Sequence, residues 1–475
     1  MVSLMEVYKM IQMKENLVET MLDQAIDTAK SRNEDQLVSI TIKIDKINPI
    51  TFFENAKKTG KNRVFWSSTA ADFYLVGVGS VTEIQAENNR FKKTEEVLSD
   101  ILKKAIIHNP YQVPGTGVIA LGGMSFDPQK QRTNLWENFK ASQFTIPEFL
   151  LTKNNEQYYY TMIKIIHKND DLSELLCEWE DSEKKLLEDS IVWPVHPRVV
   201  DKKEIMPEKW LDSVRQAKEK INKGQAKKIV LAREMRLRFE QPVKMSTLLQ
   251  KLLHMQSSSF VFAFEKGEDC FVGATPERLI KLKNNQLLST CLAGTAPRGK
   301  TEKEDLEIAE QLIHDEKNRE EHDYVVQMIR NSIEKYCDNV QIPNEPIIYP
   351  LRNLQHLYTP VTAILRNGES IFDIIEQLHP TPALGGVPKE KSLAFIRDHE
   401  QLDRGWYGAP IGWLDSNKSA EFAVAIRSGL IQGDEASLFA GCGIMKDSDP
   451  KAEYEETNIK FLPMLSVLEG SHEPY

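Results

Sequence analysis

The chain has 475 residues, of which 41% are hydrophobic and 27% charged, and a formal net charge of -10. That length and composition describe a folded globular protein of one large or two smaller domains, not a disordered or fibrous one. The acidic balance argues against a nucleic-acid coat or an anionic-membrane binder, since both need a basic surface.

The first stretch, MVSLMEVYKMIQMKENLVETMLDQAI, has apolar residues at helical spacing, but Glu6, Lys9, Lys14, Glu15 and Glu19 interrupt it. It lacks the unbroken apolar core of a signal peptide, and no segment approaches the ~20 uncharged apolar residues of a membrane helix. Five widely spaced cysteines without a CxxC pair fit a reducing compartment and no zinc or redox motif. A cytoplasmic protein is expected.

Across residues 1–200, short β-rich stretches (LVSITIKI, NRVFWSS, DFYLVGVGSV, TGVIALGGMSF, QYYYTMIKII) alternate with charged helical ones such as TEEVLSDILKKAI. From about 168 to 200 the chain is polar. It holds a helix, DLSELLCEWEDSEKKLLED, expected on the solvated surface, and ends in WPVHPRVV, whose prolines disfavour helix and suggest a connector.

From about 205 a helix (PEKWLDSVRQAKEKINKG) leads into the strand AKKIVLARE. Period-two alternation places Lys228, Val230 and Ala232 on one face and Ile229, Leu231 and Arg233 on the other. The later strands FVFAFEKG, DCFVGAT, ERLIKLKNNQLLSTCLAGT, GAPIGWLDSN, AEFAVAIRSGLIQG and EASLFAGCGIM follow one another through short polar turns. Short joins allow hairpins, so a mainly antiparallel α+β fold is expected, and the lack of regular βαβ alternation disfavours a doubly wound sheet. No fixed-period repeat is evident.

No GxxxxGK[ST], no GxGxxG between strand and helix and no HExxH occurs, so the candidates for chemistry are carboxylates, lysine and arginine. In the helical pattern 317–337, Val325, Met328, Ile329 and Ser332 mark the buried stripe, and Glu321 extends it by one turn. Taken alone, that glutamate could equally be a favourable charge at a helix N-terminus. In SDPKAEYEETNIK, Asp449 caps a helix and Pro450 opens it; Glu453, Glu456 and Lys460 then share a face. An i,i+4 surface pair worth ~0.2–0.5 kcal/mol accounts for them as well as two inward carboxylates on separate helices holding Mg²⁺.

Arg427 is expected within an alternating strand, either as an outward ladder charge or turned inward to bind a carboxylate bidentately. Glu277 follows a proline at a turn, as a surface group or as an acid kept protonated in a dry pocket. Gly294 and Thr295 in LAGT, and Gly441 and Gly443 in AGCGI, allow close backbone approach to an anion or form ordinary turns.

Together, KKIVLARE, FVGATPERL, LAGTAPRG, NREEHDYVV, LHPTPALGG, RGWYGAPIGW, FAVAIRS and AGCGIMKDSDPKAEYEETNIK resemble, in order, the motifs of the chorismate-utilising enzymes. That family includes anthranilate, aminodeoxychorismate, salicylate and isochorismate synthases. The resemblance is dense over 205–468, a chorismate-binding catalytic portion, while 1–200 is similar to the family's variable N-terminal portion. It implies one large α+β fold with two antiparallel sheets face to face, helices outside and the site in the cleft.

Position by position the chain resembles the isochorismate synthases of the menaquinone-pathway type. A lysine, Lys228, precedes IVLAR where anthranilate synthases usually carry glutamine. Ala293 stands where aminodeoxychorismate synthases place a nucleophilic lysine, and Ala383 where salicylate synthases tend to have threonine. The resemblance implies Lys228 as general base and Glu277 as general acid, with Glu321 and Glu456 as Mg²⁺ ligands and Glu453 behind them. Gly294, Thr295, His356, Ala383, Arg427, Gly441 and Lys460 would contact chorismate, and His379 would shape its loop. Mg²⁺ is the implied cofactor; no nucleic acid, membrane or amidotransferase subunit is implied. A siderophore-pathway isochorismate synthase, a salicylate synthase, an amine-transferring relative and a silent chorismate binder are the alternatives.

Overall fold

The computed structural model describes residues 4–350 and 354–469. Of the N-terminal stretch weighed above as a signal peptide, residues 1–3 and the side chains before residue 16 lie outside the described residues.

Two large sheets are stacked between two sets of helices. The larger runs Val199–Glu204, Lys228–Phe239, Glu435–Ile444, Ser428–Gln432, Asp269–Thr275, Phe260–Lys266, Arg63–Ser68, Phe73–Val78, Phe149–Asn154, Gln157–Ile166, Gln36–Ile44, Ile106–His108. The smaller runs Cys337–Gln341, Leu354–Leu365, Gln286–Pro297, Arg278–Lys283, Ala420–Val424, Pro410–Asp415, Ile119–Met124, Ser142–Ile146, Thr82–Gln85. Pairing is antiparallel apart from the edge pair Gln36–Ile44 with Ile106–His108. Strands from both ends of the chain lie in both sheets.

The alternation within single strands builds the layers. In Phe260–Lys266, Phe260, Phe262 and Phe264 point into the core between the sheets, beside Trp66, Trp406 and Ile411, whereas Val261 and Ala263 point to the opposite face. There they meet helices carrying Leu22, Phe52, Leu248 and Phe461. On the far side of the smaller sheet, Ile280, Leu282 and Phe422 pack under Leu98, Val325, Ile329 and Ile375 of another helical layer. The helix at 172–186, expected to be solvated, buries Leu175, Trp179 and Leu186, so only its charged face meets water.

The topology is also nearly symmetrical about the central pair Phe260–Lys266 and Arg63–Ser68, a repeat invisible as a sequence period. In each half a two-stranded ribbon leaves the larger sheet and enters the smaller. In the N-terminal half, Phe73–Val78 and Phe149–Asn154 continue into Thr82–Gln85 and Ser142–Ile146. In the C-terminal half, Asp269–Thr275 and Ser428–Gln432 continue into Arg278–Lys283 and Ala420–Val424. Each crossing leaves a short link on either strand, and in the C-terminal half these links carry functional candidates.

Candidate active site

Lys228 opens the strand Lys228–Phe239. Ile229 and Leu231 pack beneath the helical layer while Ala232 enters the core between the sheets, so the face Lys228 shares with Ala232 looks into the space between them. Its Nζ donates to Glu321 Oε1. On the neighbouring strand a Cβ at Gly443 would stand 2.5 Å from Lys228 Cε, so only glycine leaves the lysine this path.

Glu277 and Arg427 occupy the two links of the C-terminal crossing. Arg427 is not mid-strand as the alternation suggested: the strand stops at Val424, and Arg427 takes φ +52° before Ser428 begins the next. The ladder must break there because its two ends belong to different sheets. Backbone bonds stitch the links together, Val424 N to Glu277 O at 3.0 Å and Ala274 N to Arg427 O at 3.1 Å. Burial pushes the Glu277 carboxyl up to about 7, against the opposing pull of Lys228, Lys460 and Arg427. Arg427 donates to Lys460 O at 3.3 Å and meets no carboxylate in ion-pair range among the described residues.

Gly294 sits at a bulge where the register of Gln286–Pro297 against Leu354–Leu365 slips, with φ +79°. The slip sets Thr295 opposite His356, with Thr295 Oγ1 and His356 Nδ1 2.9 Å apart. Burial, with Arg427 and Lys460 nearby, pushes the His356 imidazole down to about 4, so it is neutral at pH 7. Tyr407 also lies within electrostatic reach of Arg427. A buried tyrosine in GWYG reads as core, so the sequence carries no signal for it.

Two capped helices bring in the remaining carboxylates. Asp315 accepts from Asn318 N at 2.7 Å to start Glu316–Ile333, and Asp449 accepts from Ala452 N at 2.9 Å to start Pro450–Glu469. Glu321 is paired with Lys228, and Glu456 Oε1 with Lys460 Nζ at 2.6 Å, so the expected i,i+4 pair does form. Lys460 Nζ also donates to Gly441 O at 3.0 Å. Glu453 Oε2 is buried without a hydrogen-bond partner. No three metal-ligating side chains are gathered closely enough to cage an ion among the described residues. By donor type Glu321, Glu456 and the orphaned Glu453 oxygen suit Mg²⁺, which binds through one or two carboxylates and completes its shell with water or substrate oxygens.

Ala383 and Glu277 line one small cavity. The Ala383 loop is clamped by a buried pair in which Arg404 Nε and Nη2 each donate to Glu400 at 2.7 Å. The same guanidinium donates to Leu384 O at 3.0 Å and Val230 O at 2.9 Å. It thereby ties the strand of Lys228 to the loop of Ala383. Charges this deeply buried stabilise little, and their value here is geometric. His379 Nε2 meets Phe126 O at 2.9 Å, a structural contact that holds the loop.

A family model described as chorismate binding enzyme matches residues 24–469. The chain belongs to the chorismate-binding enzyme family. Among its relatives, isochorismate synthase MenF of Bacillus subtilis is 40% identical over 453 residues, covering 94% of this chain and 96% of that protein. The salicylate biosynthesis isochorismate synthase of Pseudomonas aeruginosa is 30% identical over 449 residues, covering 94% and 93%. The solved structure of MenF, the menaquinone-specific isochorismate synthase from Escherichia coli, superposes with a TM-score of 0.78 at 22% identity, covering 94% of this chain and 99% of that one. The family's two-sheet fold is thus the fold of this chain. No described helix is long and apolar enough to cross a membrane.

Proposed function

We propose that this chorismate-binding enzyme is an isochorismate synthase, interconverting chorismate and isochorismate and feeding menaquinone biosynthesis. The observation that carries the chemistry is Glu277, which has no ion-pair partner among the described residues and a carboxyl pushed up to about 7, within electrostatic reach of Lys228. One group can give a proton while the other takes one. Lys228 takes a proton from water as the water oxygen bonds to ring carbon 2. The ring double bonds shift, the bond from carbon 4 to its hydroxyl breaks, and Glu277 protonates the departing oxygen, which leaves as water.

Arg427, unpaired with any carboxylate among the described residues, is the cation for a substrate carboxylate, and neutral His356 with Thr295, at the Gly294 bulge, lines the same side. Lys460 and the Gly441 carbonyl complete that wall. Glu321 and Glu456, with Glu453 behind them, would hold Mg²⁺, whose chemistry is to neutralise the second substrate carboxylate. Residues 205–468 form the catalytic portion, and 1–200 the variable portion of the same fold. The enzyme acts in the cytoplasm without nucleic acid, membrane or amidotransferase partner.

The test is chromatography of products after incubating the purified chain with chorismate. Isochorismate formed with Mg²⁺ and absent with EDTA is expected. Salicylate with pyruvate would overturn the isomerase reading, and dependence on ammonium would place the chain with the amine-transferring relatives.

A further inference from the structure

The cavity shared by Glu277 and Ala383 holds three hydroxyl groups, from Ser289, Thr290 and Thr381. Two are occupied: Ser289 Oγ donates to Leu279 O at 2.7 Å and Thr290 Oγ1 to Arg278 O at 3.2 Å. Thr381 Oγ1 is buried and has no hydrogen-bond partner among the described residues, and the residue as a whole is 7% exposed. A buried hydroxyl left unpaired costs on the order of 1–3 kcal/mol, and one beside the cavity that Glu277 lines is placed to gain its partner from a bound molecule.

Its surroundings also restrain the backbone that carries it. Thr381 stands between Pro380 and Pro382, which restrict its backbone, and its carbonyl is held in a tight turn by Leu384 N at 3.0 Å and Gly385 N at 2.8 Å. Its β-branched side chain is stiff about χ1. The loop itself is anchored through Arg404 to Leu384 O. The residue is therefore held in place, in advance of binding, beside the small cavity that Glu277 also lines.

We infer that Thr381 is a further substrate-contact residue, whose hydroxyl hydrogen-bonds the oxygen leaving from carbon 4 of chorismate and holds it in line with Glu277. The inference rests on the reading of Glu277 as the acid. Thr381 moves no proton of its own; it accepts from the C4 hydroxyl before bond cleavage and orients the water afterwards.

Thr381→Val keeps the shape and removes the orphaned hydroxyl. Its melting temperature should hold or rise, since replacing an unpaired buried polar group by an apolar one of the same shape is neutral or stabilising. With Mg²⁺ and chorismate its kcat should fall about tenfold or more, the effect of roughly one lost hydrogen bond in a dry site, with KM little changed. Thr381→Ser should recover most of the loss. A kcat for Thr381→Val within about twofold of the unaltered chain would overturn the inference, as would Thr381→Ser being as slow as Thr381→Val. Glu277→Gln assayed alongside separates the two failures: if it is inactive while Thr381→Val is unimpaired, only the role of Thr381 falls. If Glu277→Gln is itself active, the underlying assignment falls.

Discussion

The two crossings between the sheets share a topology and differ in chemistry. In the N-terminal half the links are Gly79 to Val81 and Pro147 to Glu148, stitched by Val81 N to Ile146 O at 2.8 Å and Glu148 N to Val78 O at 3.0 Å. In the C-terminal half the links carry Glu277 and Arg427 with matching stitches. Glu148, however, is paired with Lys61 at the partly exposed edge, so its charge is spent within the chain. Glu277 and Arg427, also partly buried, have no ion-pair partner among the described residues. A crossing is a structural necessity of this fold; it can serve as a reactive centre where its charges are left unpaired within the chain for a ligand to satisfy.

The strongest way to break that contrast is at the proposed acid and base. Lys228→Ala and Glu277→Gln should each lower turnover about 10²- to 10⁴-fold, read as isochorismate formed by chromatography. Retained activity in either would remove that residue's role. Next, Arg427→Gln should lower kcat/KM about 10- to 100-fold, as a charge-assisted contact to a substrate carboxylate is lost, with little change in melting temperature. An unchanged KM and kcat would show that Arg427 does not meet substrate.

Gly443→Ala should displace the Lys228 side chain, because the new methyl would lie 2.5 Å from Cε. We expect about a tenfold loss of kcat, since small misplacements of a reacting group are costly. Kinetics that match the unaltered chain would mean that the lysine has another route into the cleft.

The pH dependence sharpens the comparison further. The folded value of Glu277, about 7, lies above the free value of 4.5, so the folded chain binds this proton more tightly. The stability it contributes is complete below about 4.5 and is lost as pH rises through 7. Melting temperature should therefore fall less steeply with pH across that window in Glu277→Gln, and kcat/KM of the unaltered enzyme should decline above about pH 7. Equal slopes in the two proteins would contradict the shift. The smallest effect belongs to the other crossing: Glu148→Gln should cost at most about 1 kcal/mol in a denaturant melt, with kinetics unaltered.

Much of the catalytic half was legible in the sequence. Period two in KKIVLARE foretold the face of Lys228, and Asp449 and Pro450 foretold the last helix, whereas the Val325 and Ile329 stripe continues through His322 and leaves Glu321 at its partly exposed edge. Arg427 was misplaced in a strand because alternation describes side chains on one sheet and cannot register that a strand changes sheets. Thr381, Tyr407 and the Glu400–Arg404 clamp were missed for a related reason. Their significance lies in which hydrogen bonds they make or lack, and those partners are far away in the chain.

The sequence by itself determined the elements, the mainly antiparallel pairing and the residue types available for acid, base and metal, because these follow from local periodicity, caps and turns and from side-chain chemistry. Only the tertiary structure decided which charges are neutralised by one another and which stay unpaired. That depends on burial and on contacts between distant segments, and it separates Glu277 at one crossing from Glu148 at the other.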